Sequence, residues 1–248
     1  MSDTFFTTRW SVVAAAGRQR PGQPPPADAR AALQELCAAY WPPLYAFARR
    51  AGVAPGDAAD QVQDFFARLL EKGDLAAADP ARGRFRAWLL TAFRHHAANL
   101  RDRERAQKRG GGRRPLPLPG GGELDPGEAE SRYAPEPSHA RTPEREFERR
   151  WALQVLERAL ARLADEQARA GRAQAFARLR PYLASGGDEA PYAQVAADLG
   201  RSEGAVKVAV HRLRRRYGEL LRAEVAGTLA DPGEVEAELA ALLEALGA

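Results

Sequence analysis

The sequence predicts an all-α protein with two small helical domains joined by a flexible Gly/Pro-rich linker, the second domain being a helix-turn-helix. Apolar residues recur at spacings of three and four, the period of amphipathic helices, and no strict alternation long enough for a strand occurs. The stretch 110–127 contains seven glycines and four prolines, too many breakers for any helix. A chain of 248 residues is long enough for two such domains.

These breaks divide the chain into five segments. An N-terminal extension covers residues 1–29, and a first helical domain covers residues 30–108. The linker covers residues 109–141, and the second helical domain, 142–226, is followed by an acidic C-terminal helix, 227–248. A tether of this length lets the two domains reach two neighbouring sites at once.

Four stretches carry the clearest helical spacing, two in each domain. The second domain also has a helix-start signal, because Thr142 is a suitable N-cap and Pro143 suits the first helical position. The apolar positions of the four stretches are Val62, Phe65, Phe66, Leu69 and Leu70; Leu89, Ala92, Phe93, His96 and Leu100; Ala152, Leu156, Ala159, Leu160 and Leu163; and Val206, Val210, Leu213, Tyr217, Leu220 and Leu221.

The strongest local motif begins with a short helix over residues 192–199. Its small Ala196 allows a second helix to cross closely, and Gly200 suits the left-handed turn that ends it. Ser202 is a suitable N-cap for the next helix, whose polar face can enter a DNA major groove. The alternative is an ordinary helical hairpin. The candidate DNA-binding residues are Ser202, Glu203, Gly204, Lys207, Val208, His211, Arg212 and Arg215, with Arg214 and Arg216 as further phosphate contacts.

The net charge of +4 conceals blocks of opposite sign. Residues 82–114 carry 11 cations against two carboxylates, a net charge of +9, and residues 201–222 carry seven against two, a net charge of +5. Residues 54–80 have a net charge of −4, and no cation follows Arg222. Because a block of one sign repels itself without a partner, the two basic blocks indicate two contacts with one polyanion. The alternative is that each block is a solvated helix face.

Composition and motifs argue against several classes of function. Cys37 is the only cysteine, which excludes an intrachain disulfide and argues against a cysteine zinc site. His95 and His96 are adjacent, so on a helix they point about 100° apart and form no metal site. No nucleophile-base pair, phosphate-binding loop or membrane-length apolar run is present. We therefore expect a soluble, cytoplasmic protein that is not an enzyme and holds no metal or cofactor.

Three motifs follow one another along the chain. Residues 57–70 read DAADQVQDFFARLL, residues 85–95 read FRAWLLTAFRH, and residues 202–216 read SEGAVKVAVHRLRRR. In this order they resemble the acidic helix, the F-x-x-W-L segment and the recognition helix of the extracytoplasmic-function (ECF) type of bacterial RNA polymerase sigma factor, in the sigma-70 family. The resemblance covers residues 30–108 and 145–222.

The resemblance implies that the first domain contacts both polymerase and promoter. In the family, the acidic helix docks on the coiled-coil of the polymerase's largest subunit, and the following helix opens and holds the minus-ten element. Trp88 and Phe93 are candidates to line that strand, but aromatic residues at helical spacing are usually buried, which favours the core for both. The implied polymerase-binding residues are Asp57, Asp60, Gln63 and Asp64. The implied minus-ten residues are Arg84, Arg94, His95, Asn99, Arg101, Arg103 and Arg105.

The second domain, by the same resemblance, reads the minus-thirty-five element and meets the polymerase flap. The chain departs from the family's pattern in two places: His95 stands where the family usually has asparagine, and the loop 78–84 lacks an aromatic residue for the flipped base. The resemblance thus implies a sigma factor that binds core polymerase, recognises both promoter elements and promotes initiation. The alternative is a stand-alone helix-turn-helix regulator, which would bind duplex DNA tightly without polymerase.

The acidic C-terminal helix has no counterpart in that resemblance. We expect it to mask a basic DNA-binding face or to bind a partner, with an anti-sigma factor as the other candidate partner and no contact with a membrane. All its carboxylates are expected away from its apolar stripe. That stripe consists of Val235, Leu239, Leu242, Leu243 and Leu246.

Overall fold

A computed structural model of the chain describes residues 9–17, 27–79, 81, 83–107, 141–183, 191–229 and 231–247. Within these ranges the regular secondary structure is entirely helical, with no strand, which confirms the predicted all-α fold class. None of the helices in these ranges is both long and apolar enough to span a membrane. The predicted linker, apart from Arg141, lies outside the described residues.

The described residues form two compact units. The first comprises those up to Leu153 together with those from Ala226 onward, and the second comprises Gln154–Val225. This boundary falls within the fifth helix, whereas the sequence placed it at residue 142. In chain order the helices are α1 (Arg9–Ala16), α2 (Ala27–Arg50), α3 (Pro55–Lys72), α4 (Phe85–Gln107), α5 (Pro143–Arg169), α6 (Ala173–Leu179), α7 (Tyr192–Asp198), α8 (Glu203–Ala226) and α9 (Val235–Leu246), with 3-10 helices at Asp74–Ala77, Arg180–Leu183 and Pro232–Glu234.

The core of the first unit is built around Phe93 of α4, which is fully buried. Its ring packs edge-on against Phe47 of α2 and Phe65 of α3, with centroid distances of 5.9 and 5.2 Å. Edge-to-face pairs at this separation add about 0.5–1.5 kcal/mol each to the burial of apolar area. The burial of Phe65, Phe66 and Phe93 confirms their predicted core positions, whereas Trp88, also expected in the core, keeps part of its surface exposed.

Part of the predicted N-terminal extension is folded into this unit as well. α1 buries Val12 and Val13 and packs against α2 and the 3-10 helix Asp74–Ala77. Because burying a valine side chain contributes about 1.5 kcal/mol or more, we expect α1 to stabilise the first unit.

The core of the second unit lies along the apolar stripe of α8. Val206, Val210 and Leu213 are buried there, as predicted, and belong to one cluster with Leu163 of α5 and Phe176 of α6. The period of that stripe determines which face of α8 points to solvent.

α9 buries different side chains from those that the sequence predicted. Leu242 is buried as expected, but Leu243, also placed on the apolar stripe, is 52% exposed. Glu238, expected on the polar side, is 0% exposed. The prediction was therefore wrong at Leu243 and Glu238, since α9 is rotated so that the Glu238 carboxylate meets the buried Arg86 and the half-buried Arg84.

Candidate polymerase and nucleic-acid interfaces

α3 presents most of its acidic residues to solvent along one side. Asp57 lies in its first turn, where a negative charge is favoured by the helix dipole. Asp57, Asp60 and Gln63 are exposed, whereas Val62 is buried in the core. The buried stripe of α3 thus turns three of the four predicted polymerase-binding side chains outward.

The fourth, Asp64, lies beside a buried histidine. His96 Nε2 is 3.3 Å from Asp64 Oδ2, and the imidazole lies next to the rings of Phe65 and Phe93. Burial lowers the pKa of His96 below its ordinary value of 6.5, and the charge of Asp64 opposes this shift. The shift favours the neutral form of the ring. The spacing of α4 predicted a buried position for His96, but not its neighbour on α3.

The residues predicted to hold the minus-ten strand lie on two adjacent rows along α4. Arg94 and Arg101 are two turns apart on one row, while His95, Asn99 and Arg103 follow one another at four-residue intervals on the next. All five side chains are exposed. The rows extend over about 14 Å, the rise of nine helical residues. Together the two rows form a basic surface that is about as long as a few nucleotides of single-stranded DNA.

Two other predicted minus-ten residues stand apart from these rows. The side chain of Arg105 lies outside the described residues. Arg84 precedes α4, and its side chain is 37% exposed. Its Nε lies 2.9 Å from Glu238 Oε2 of α9. Arg84 therefore already faces a carboxylate in the free protein.

Arg86 completes a buried ionic cluster that the sequence did not reveal. Its side chain is 7% exposed, its Nη1 contacts Glu238 Oε1, and its Nε donates a hydrogen bond of 2.8 Å to Glu148 Oε2. The guanidinium also lies 4.3 Å from the centre of the Trp151 ring, in cation-π contact. We call Arg84, Arg86, Glu148 and Glu238 the Arg/Glu cluster; two positive and two negative side chains balance within it.

Burial shifts the pKa of Arg86. Removal from water lowers its pKa, and the neighbouring Glu148 carboxylate counters this shift by favouring the charged form. Arginine does not lose its proton in proteins, so the buried charge persists and needs its carboxylates.

The turn between α7 and α8 forms as the sequence predicted. Gly200 has a positive φ of 61°, and the Arg201 N–H donates to the Ala196 carbonyl at 2.9 Å. At the start of α8, the Ala205 N–H donates to Ser202 Oγ at 3.3 Å, which confirms Ser202 as the N-cap. Thr142 caps α5 in the same way, accepting from the Arg145 N–H at 3.3 Å.

The outer face of α8 carries the predicted base-reading and phosphate-binding residues. Val208, an apolar residue, is 50% exposed in the middle of this face. Lys207 Nζ lies 2.7 Å from Glu203 Oε1 and 5.7 Å from the centre of the Tyr192 ring. The hydrogen bond with Glu203 raises the pKa of Lys207. The structure places Ser202, Glu203, Gly204, Lys207, Val208, His211, Arg212 and Arg215 together, all of them exposed.

Two further arginines of α8 are engaged within the second unit. Arg214 Nε donates to the Tyr182 carbonyl at 2.8 Å. Arg216 donates to Glu166 through two nitrogens, at 2.9 and 2.7 Å, and to Glu219 at 2.9 Å. These bonds hold both guanidiniums against their own unit, so the cations best placed for an external partner are those beside Lys207.

Comparison with known families identifies the segment that carries the first two surfaces. Residues 36–107 match the family model of sigma-70 region 2. This match supports a sigma-70 family sigma factor. The region 2 segment runs from within α2 to the end of α4 and contains both the acidic side of α3 and the basic rows of α4. No curated protein and no solved structure matched the chain.

The region 2 segment covers less than a third of the chain. α7 and α8 lie outside it, and so do Glu148 and Glu238 of the Arg/Glu cluster. The two arginines of that cluster lie within the matched segment. Their carboxylate partners are thus additions from elsewhere in the chain.

Proposed function

We propose that the chain is an ECF-type RNA polymerase sigma factor, which joins core polymerase, recognises the minus-ten and minus-thirty-five promoter elements and promotes initiation. The sigma-70 region 2 match over residues 36–107 is the observation that carries this proposal. Sigma-70 family factors are initiation factors rather than enzymes, so the chain is assigned no bond-making step. Its place of action is the cytoplasm, with the polymerase.

The acidic side of α3 is the proposed contact with the coiled-coil of the polymerase's largest subunit. Exposed carboxylates at the edge of an interface mainly direct orientation and association rate. Asp64, whose side chain is partly buried beside His96, has less conformational freedom to lose on binding than the exposed carboxylates. We assign this contact to Asp57, Asp60, Gln63 and Asp64.

The basic rows of α4 are the proposed contact with the opened minus-ten strand. Guanidinium groups at intervals along a helix can follow a phosphate backbone, while aromatic and planar groups stack on unpaired bases. The partly exposed Trp88 lies on the same helix and adds one aromatic surface. The assigned residues are Arg84, Arg94, His95, Asn99, Arg101, Arg103 and Arg105.

The exposed face of α8 is the proposed reader of the minus-thirty-five duplex, and the second unit also meets the polymerase flap. Glu203 suits the cytosine amino group, and Lys207 suits guanine acceptors, once their mutual ion pair opens. Val208 offers an apolar contact to a thymine methyl group. His211 lies next on the same face. Phosphate contacts are assigned to Arg212 and Arg215.

Association with core polymerase tests this proposal. Purified chain and purified bacterial core polymerase are mixed and separated by size-exclusion chromatography, and promoter affinity is measured with and without core. We expect co-elution in one complex and a large rise in promoter affinity on assembly. Failure to associate with core overturns the proposal, and tight duplex binding by the chain alone identifies a stand-alone regulator instead.

A further inference from the structure

Three arginines of region 2 face carboxylates that come from outside region 2. Glu238 of α9 pairs with Arg84 and Arg86, at 2.9 Å for Arg84 Nε. Glu144 of α5 extends the pattern, because its Oε1 lies 3.6 Å from Arg94 Nη1. Arginines assigned to the promoter strand therefore already hold oxygen anions, which are the groups that a DNA backbone would offer them.

We propose that α9 competes with the promoter strand for Arg84, and that Glu238 occupies the place of a phosphate until DNA displaces the helix. This inference rests on the proposed function, since it takes the minus-ten strand as the competing ligand. The competing chemistry is that of single-stranded DNA, a flexible polyanion.

The Arg/Glu cluster is arranged so that α9 can leave without stranding a buried charge. After Glu238 departs, Arg86 keeps its hydrogen bond to Glu148 and its stacking on Trp151. Arg84, which is 37% exposed, becomes available to a new anion. Glu238 itself gains water in place of its two arginines.

The apolar hold on α9 is moderate for a helix of its length. Among its 12 residues Leu242 is the one fully buried apolar side chain, Val235, Leu239 and Leu246 are half-buried, and Leu243 is largely exposed. A fully buried leucine contributes about 1.5–3 kcal/mol and a half-buried apolar side chain less, so apolar packing alone holds α9 only moderately. The ion pairs to Arg84 and Arg86 therefore decide its position, and a polyanion weakens them directly.

Hydrogen exchange on the full chain tests the displacement. The probe is a fluorescein-labelled, A/T-rich, single-stranded DNA 12-mer at low salt, whose binding is followed by anisotropy. At saturating probe we expect faster amide exchange across α9, with exchange in α2 unchanged. Unchanged or increased protection of α9 overturns the inference, as does failure of the probe to bind.

Two matched substitutions in α9 give a second readout. Glu238→Gln removes the buried carboxylate, and Glu244→Gln makes the same charge change at an exposed position of the helix. We expect Glu238→Gln to raise the affinity for the probe roughly three- to tenfold, because one competing charge is lost. Glu244→Gln should change that affinity less than twofold. Equal affinities contradict the competition. If Glu238→Gln exposes the amides of α2 to exchange, the variant is partly unfolded. The hydrogen-exchange result on the unaltered chain then decides whether DNA displaces α9.

The outcome is separable from that of the proposed function. Displacement of α9 by the probe without association to core polymerase retains the competition and rejects the sigma factor. Association with core polymerase while α9 stays protected at saturating probe retains the sigma factor and rejects the competition.

Discussion

Arg86 and Glu238 lie 152 residues apart in the chain, yet their side chains meet in a buried ion pair. The contact joins the start of α4, inside the region 2 segment, to α9, which belongs to the same unit although the whole second unit lies between them in sequence. Two charges taken out of water are tolerated only with close partners, and here Arg84 and Glu148 supply the remaining ones. The Arg/Glu cluster thus fixes α9 on the first unit.

This pair predicts unequal effects for two glutamates of α9. Glu238→Ala should lower the free energy of unfolding of the first unit by about 2 kcal/mol, less than the ~3–5 kcal/mol usual for a broken buried pair, because Glu148 still faces Arg86. Glu244→Ala, at an exposed position, should change it by less than about 0.5 kcal/mol. Urea titration followed by tryptophan fluorescence measures both. Similar losses in the two variants would show that Glu238 contributes no more than a surface charge.

The buried His96 predicts a pH dependence of stability in the first unit. Its pKa is lowered in the folded chain, so below pH 6.5 the unfolded chain binds more protons than the folded one. Stability should therefore fall as the pH decreases through 6.5, and His96→Gln should remove that part of the dependence. Thermal melts between pH 5 and pH 8 provide the measurement. A wild-type profile that the substitution leaves unchanged rules out His96 as its source.

The acidic side of α3 predicts a selective loss of polymerase binding. Asp60→Asn should weaken association with core polymerase about tenfold while the helical circular dichroism stays the same, because Asp60 is exposed and carries no part of the core. Glu35→Gln, exposed on α2 rather than on α3, is the matched control and should retain full affinity. Biolayer interferometry with immobilised core measures both. An equal effect of the two substitutions would indicate a general response to charge rather than a contact at Asp60.

The exposed cations of α8 predict a change in salt dependence. Arg212→Ala and Arg215→Ala should each reduce the slope of log affinity against log salt by about one, as expected for one lost phosphate contact. Arg216→Ala is the control on the same helix, since Arg216 is bonded to Glu166 and Glu219, and its slope should hardly change. Holoenzyme binding to promoter duplex at several salt concentrations tests this. The assignment is contradicted if Arg216→Ala alters the slope most.

Local pattern predicted much of the fold because short-range physics decides it. The buried stripe of α8 and the caps at Ser202 and Thr142 follow from helical period and from the orphan N–H groups of a helix start. The same period predicted which side of α3 and which face of α8 reach solvent. The exposed side of α3 and the exposed face of α8 could therefore be predicted from the sequence.

The sequence analysis did not predict the Arg/Glu cluster, although the pattern of charged residues on two apolar stripes indicates it. Arg86 precedes Leu89 and Phe93 by three and seven residues, which places it on the buried stripe of α4. Glu238 lies likewise in line with Leu242 of α9. One arginine and one glutamate, each on an otherwise apolar stripe, indicate a buried pair between distant helices. The contact between these two stripes depends on tertiary packing, which the local sequence pattern does not reveal.

The proposed sigma factor should confer promoter-specific initiation on core polymerase. Core polymerase reconstituted with the chain is given a library of templates with randomised upstream sequence, and the transcripts are sequenced. We expect transcripts above the level of core alone, from templates that share two sequence blocks about two turns of duplex apart. Transcription no higher than that of core alone, with a chain whose helical circular dichroism shows it folded, would contradict the proposal.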